Sequence, residues 1–261
     1  MNFSLLGKHA LVCGGSKGIG KAIGIALAEM GANVTLVARS AVTLSAAVQE
    51  LDKSKGQDHD FLMADFEDLQ DLRRKVSGLL VVRKYQILIN NTGGPKGGPI
   101  IDAQPEEFAD AFNKHIICSQ ILTKLLIDGM RQESYGRIIN VISTSVKEPI
   151  EGLGVSNTIR AAMGNWSKTM ATELAPWGIT VNNILPGFTD TDRLQQLISD
   201  KASKAGISES EVSAQMSGSV PMKRFALPSE IAAAAAFLAS PAAGYITGIN
   251  LPVDGGRTRS L

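Results

Sequence analysis

Cysteine, tyrosine, surplus charge and long apolar runs are all scarce in this chain. Two cysteines, Cys13 and Cys118, stand in 261 residues. They form no disulfide framework, which fits a reducing cytoplasm. Lys and Arg number 26 against 25 Asp and Glu, a formal net charge of +1. Nucleic-acid binders carry clustered basic surface to neutralise phosphates, so nucleic acid is not an expected partner. The longest uninterrupted apolar run, Ile231–Ala239, has nine residues, whereas a membrane-spanning helix needs about 20. The opening residues, MNFSLLGKHALV, lack a basic segment followed by an apolar one, so neither a signal peptide nor a membrane partner is expected. Histidines and cysteines do not recur at ligand spacing, which argues against a metal site. The absence of a Gly-x-Ser-x-Gly elbow argues against a hydrolase of that type.

What is present is an alternation. Short β-rich runs at His9–Cys13, Asn33–Ala38, Asp60–Ala64, Gln86–Asn90, Arg137–Ile142, Thr180–Leu185 and Ile249–Val253 are separated by amphipathic helical patterns. The first helix carries Ile19, Ala22, Ile23, Ala26, Leu27 and Met30 on one face and stops at Gly31. Glu106–Gln132 and Val155–Trp177 read as longer helices, and Ser229 as a possible N-cap for Ile231–Ala239. Repeated β-α-β units imply a single α/β domain over 1–261, with a parallel sheet covered by helices on both faces. The segment Asp190–Met222, rich in Ser, Asp, Lys and Gly, reads as an irregular lid, about 190–222, over a binding site.

The first strand runs into Gly14-Gly15-Ser16-Lys17-Gly18-Ile19-Gly20 and then directly into a helix. Glycines there allow a tight turn and close approach of a pyrophosphate, and the helix N-terminus offers free N–H groups. At the end of the second strand stand Ala38, Arg39 and Ser40, where an acidic residue would bind a ribose 2′-hydroxyl. Arg39, with Lys17, suits a 2′-phosphate instead, so NADP(H) is favoured over NAD(H).

Further blocks follow in order: Asp65-Phe66, Asn90-Asn91-Thr92-Gly93, Gly136 through Ser143, Pro186-Gly187-Phe188-Thr189-Asp190-Thr191, and Asp254-Gly255-Gly256. Together with the glycine loop they span the chain, which resembles the short-chain dehydrogenase/reductase superfamily. The resemblance implies a single-domain Rossmann-type sheet of about seven parallel strands and a homo-oligomer, dimer or tetramer. It places Asp65, with Phe66, at the adenine and Asn91, Thr92 and Gly93 at the adenosine ribose. Pro186, Gly187, Phe188, Thr189 and Thr191 would hold the nicotinamide carboxamide and pyrophosphate. Cys13 stands where the family often has Thr, and Thr92 where it often has Ala.

One departure concerns the chemistry. The family pairs a Ser with Tyr-x3-Lys about thirteen residues later, and with an Asn in the preceding long helix. Here the Ser is Ser143, but Tyr has become Ser156, Lys has become Arg160, and the Asn position is His115. The following residues, Ala161 through Lys168, keep the family's pattern without a gap. An aliphatic hydroxyl cannot be tuned like a phenol, whose pKa starts near 10, and Arg stays protonated. Ser156 and Arg160 can therefore orient and polarise but not readily shuttle a proton. Arg160 shares a helical stripe with Met163, Ser167 and Leu174, where it needs an anion or a hydrogen bond. The alternatives are an Arg that reaches the surface and a Ser156 that serves the helix start. His115, on a stripe with Phe108, Ala111, Phe112, Ser119, Leu122 and Leu126, is a replacement proton donor or a core histidine.

The expectation is an oxidoreductase acting on a small carbonyl, alcohol, imine or enone with a non-standard proton relay. The alternative is an NADP(H)-binding pseudoenzyme with a regulatory role.

Overall fold

In the computed structural model, which describes residues 1–260, seven parallel strands form one sheet. They are β1 (His9–Cys13), β2 (Asn33–Ala38), β3 (Asp60–Met63), β4 (Ile87–Asn90), β5 (Gly136–Val141), β6 (Ile179–Pro186) and β7 (Asn250–Val253). Their order, β3-β2-β1-β4-β5-β6-β7, reverses between β1 and β4. A ligand crevice opens outside the carboxyl ends of the strands at such a switch point. Strands β4 and β5 are buried along their whole length, because helices cover both faces of the sheet. That is why their apolar residues stand side by side, Ile87-Leu88-Ile89 and Ile138-Ile139, rather than alternating with polar ones.

Among the described residues, nine α-helices connect the strands: α1 (Gly18–Glu29), α2 (Ala41–Gln49), α3 (Leu69–Leu80), α4 (Pro105–Phe112), α5 (Cys118–Gln132), α6 (Gly154–Leu174), α7 (Asp192–Ala205), α8 (Glu209–Gly218) and α9 (Pro228–Ala239). One face of the sheet packs α1, α2 and α9 through Ile23, Leu27, Leu44, Ile231 and Ala235. The other packs α3, α5 and α6 through Leu72, Val76, Leu122, Leu126 and Ala171. No helix among the described residues is long and apolar enough to cross a membrane.

Three expectations are corrected. The helix expected over Glu106–Gln132 is interrupted by a π turn at Asn113–Ile117. The wider turn shifts the helical phase, so Phe112 is 41% exposed instead of joining His115 inside. Helix α9 starts after Leu227, not Ser229: the Glu230 carboxylate accepts the Leu227 N–H at 2.8 Å and is itself held by Arg224. The segment expected to be irregular holds α7 and α8, separated by Gly206 at φ +66°. Leu194, Ile198, Ala202, Val212 and Met216 form a small core of their own, backed by Phe188 and Phe225. The polar composition of this segment belongs to its solvent face.

Candidate functional site

Strand β1 runs into Gly14, whose φ of +61° lies in the left-handed region. A Cβ on Gly14 would sit 2.5 Å from the Asn91 carbonyl oxygen, and one on Gly20 would sit 2.1 Å from the Gly14 carbonyl oxygen. Only glycine allows this turn. The Asn91 side chain buttresses it from β4, donating to the Cys13 carbonyl at 3.3 Å. Ser16 and Ile19 lie half-buried in the loop.

The helix N-termini differ in their capping. Helices α2, α3 and α8 begin with side-chain caps from Ser40, Asp68 and Ser208. At the N-cap positions of α1 (Lys17) and α7 (Thr191), as at that of α6, no side chain makes a cap. The Thr191 methyl lies 3.4 Å from where a Gly18 Cβ would be. Two uncapped N-termini therefore converge on one gap, with backbone N–H groups and positive dipole ends available to an anion. The cradle fits a pyrophosphate. Lys17 pairs with Asp192 across the gap at 2.7 Å, both side chains more than 70% exposed.

The remaining residues expected at the cofactor take several places. Arg39 is exposed at the end of β2, with no ion pair among the described residues, next to Ala38, which is 8% exposed. Ser40 uses its hydroxyl to cap α2, accepting the Thr43 N–H. The half-buried Asp65 accepts the Glu67 N–H at 3.0 Å. Phe66 turns into the core beneath β1 and β4, so its ring supports the crevice floor. Gly93 is exposed, and Pro186 is half-buried at the end of β6. Gly187 packs so closely on Asp254 that a Cβ would be 2.7 Å from its Cα. Thr189 and Thr191 donate their hydroxyls to the Gly187 and Thr189 carbonyls, which shapes the loop between β6 and α7.

Behind the crevice lies a second group. Arg160 is 7% exposed; its Nη1 donates to the Val141 carbonyl at 3.1 Å, and its buried Nε has no partner. A Cβ on Gly94 would be 3.6 Å from its Nη2. No carboxylate among the described residues pairs with it, and it does not reach to the surface. Burial lowers its pKa to about 10, which leaves it charged at neutrality. His115 is 5% exposed, its Nδ1 lies 2.7 Å from Thr92 Oγ1, and its Nε2 is unpartnered. Burial, then the charges of Arg160 and Lys114, push its pKa down to about 2, so the imidazole is neutral at working pH. Both residues border an internal cavity of about 10 Å³ between Cys13, Thr92 and Cys118, about the size of one water centre.

At the rim, Ser143 Oγ accepts the Ser145 N–H at 3.1 Å, which leaves its own O–H free to donate. Ser156 lies half-buried in the first turn of α6. No tyrosine has moved in to replace the missing phenol. Tyr85 is buried against Thr35, Tyr135 donates to the Ala239 carbonyl, and Tyr245 is fully exposed. All three precede strands, at the edge of the sheet opposite the crevice. The sequence reading missed the Thr92 partner of His115, the Asp192 partner of Lys17, and the buried, unpartnered hydroxyl of Ser145. Each is a long-range or local geometric fact without a motif.

Comparison with known proteins agrees with this architecture. A family model described as enoyl-(acyl carrier protein) reductase matches residues 14–258. The NADPH-dependent reductase BacG of Bacillus subtilis is 31% identical over 258 residues, 97% of this chain and 99% of that protein. The 3-oxoacyl-[acyl-carrier-protein] reductase FabG of Vibrio cholerae is 36% identical over 256 residues, 97% of this chain and 98% of that protein. Among solved structures, L-sorbose reductase from Gluconobacter frateurii, complexed with NADPH and L-sorbose, superposes with a TM-score of 0.93. It is 30% identical and fully covered by this chain, as this chain is by it.

Proposed function

The chain belongs to the short-chain dehydrogenase/reductase superfamily, and on that footing we propose that it is an NADPH-dependent reductase of polarised double bonds, conjugated enones or imines. One observation carries the choice of substrate. No tyrosine reaches the site, and burial holds its two nitrogen bases below their ordinary values, Arg160 at about 10 and His115 at about 2. Neither exchanges a proton near neutrality.

The open N-termini of α1 and α7 would hold the pyrophosphate, and Arg39 the 2′-phosphate. When bound, NADPH supplies a hydride. Reduction at the β-carbon of an enone would place negative charge on its carbonyl oxygen. Ser143 donates its hydroxyl proton as a hydrogen bond to that oxygen, and the Arg160 charge stabilises it in a low-dielectric setting. The α-carbon then takes its proton from water. The sum is enone plus NADPH plus H⁺ giving the saturated carbonyl and NADP⁺. An iminium carries its positive charge already and needs no donor during hydride transfer. A plain ketone needs general acid catalysis, worth about 10²–10⁴-fold, and the chain offers it only hydrogen bonds.

The test pairs 2-cyclohexenone with cyclohexanone, each with NADPH and with NADH. Reduction of the enone at least about 100-fold faster than the ketone, with NADPH preferred, supports the reading. A faster ketone overturns it. NADPH binding with no turnover on enones, imines or ketones would favour the pseudoenzyme, the reading suggested by an intact cradle beside an altered relay.

A further inference from the structure

Residues 254–260 form a strap across the mouth of the crevice. Asp254 anchors one end beside Gly187, its carboxylate accepting the Gly256 and Thr258 N–H groups at 3.0 and 2.8 Å. Glu148 anchors the other, accepting the Arg259 and Ser260 N–H groups at 2.9 and 2.7 Å. Glu148 follows Ser143 by five residues and Phe188 directly follows Gly187, so the strap spans from the nicotinamide loop to the serine loop. Arg257 sits at its middle. Its guanidinium lies over the Phe188 ring, 4.4 Å from the centroid, and Phe188 is braced edge-on by Phe225 at 6.2 Å.

Both carboxylates of the strap are occupied by backbone amides, and Arg257 forms no ion pair or hydrogen bond through its side chain among the described residues. A half-buried guanidinium stacked on an aromatic face is oriented by the ring, while its N–H fork stays available. That fork matches a carboxylate in two parallel hydrogen bonds. We infer that Arg257 anchors a substrate carboxylate, so the double bond reduced at this site belongs to an anionic substrate. The inference rests on the reductase reading for the position of the reacting bond. It makes Arg257 the residue that selects which enone enters.

The probes are (E)-4-oxopent-2-enoate, a small enone bearing a carboxylate, and its methyl ester. Calorimetry on the NADP⁺-loaded protein reads binding without turnover. The acid should bind at least about tenfold tighter than the ester, about 1.4 kcal/mol. R257Q should erase that preference, R257K should keep part of it, and R259Q should keep all of it. Equal binding of acid and ester by the wild type overturns the inference, as does a preference that survives R257Q. Weaker NADP⁺ binding by R257Q with the preference intact would put the guanidinium on the cofactor and overturn it too. If the acid preference is present and Arg257-dependent but NADPH turnover of both probes is absent, the reductase reading fails and the anion site stands.

Discussion

The cradle at Gly14–Gly20 and the pocket around Arg160 and His115 adjoin at the carboxyl ends of β1 and β4, and they are built by opposite rules. The cradle leaves polar groups open: uncapped helix ends, an exposed Arg39 and glycines that admit no side chain. The pocket closes around its polar groups and holds a cation without a counterion beside an imidazole that cannot charge. Leaving N–H groups open to solvent has little energetic cost until a ligand arrives, whereas burying an unpaired charge costs stability at all times. The difference teaches where selection for function acts: on affinity in the cradle and on a fixed electric field in the pocket.

The comparison breaks most completely in the cradle. Gly20→Val would drive a side chain into the Gly14 carbonyl, and NADPH affinity should fall more than about 100-fold, about 2.7 kcal/mol. Retention of binding in a calorimetric titration would show that the loop is not the anion site.

In the pocket, Arg160→Met should move stability and activity in opposite directions. Removal of a buried unpaired charge should stabilise the ligand-free protein by about 1–3 kcal/mol, each kcal/mol raising Tm by about 2–4 °C. The rate constant kcat/KM should fall at least about 100-fold. A variant that is both less stable and less active would show that the Val141 hydrogen bond outweighs the cost of the charge.

A smaller effect sharpens the account of His115. The unfolded chain protonates this histidine below about pH 6.5, and the folded chain only near 2. Its contribution is therefore complete above pH 6.5 and drains away as pH falls. His115→Asn should reduce the stability lost between pH 7 and pH 4.5 by up to about 2–3 kcal/mol, read from urea melts. Parallel pH curves for variant and wild type would mean that the imidazole charges in the folded state.

The smallest effect belongs to the Lys17–Asp192 pair. Exposed ion pairs contribute little to stability, so Lys17→Gln should leave the melting temperature nearly unchanged and weaken NADPH binding only a few-fold. A larger loss of binding would move Lys17 onto the cofactor.

The strands were legible because buried parallel strands are short apolar runs with sharp ends, and the observed bounds fall within a residue or so of those expected. The glycine loop was legible for a similar local reason. The π turn at Asn113–Ile117 was not, since no residue type announces a change in helical phase. Helices α7 and α8 were hidden by polar composition, although Leu194, Ile198 and Ala202 keep a four-residue spacing. Their stability depends on Phe188 and Phe225, far enough away that a local window misses them. The inward direction of His115 was readable from its stripe. Its neutrality was not, because that depends on burial and on Arg160, 45 positions further along the chain.

The central claim, that this site moves a hydride without a titrating proton donor of its own, is tested most directly by the pH dependence of kcat/KM for NADPH-dependent enone reduction between pH 5.5 and 8.5. The account predicts a profile with no inflection near 6.5, unchanged in shape by His115→Asn. A clear inflection near that pH, abolished by His115→Asn, would contradict it and make His115 the proton donor.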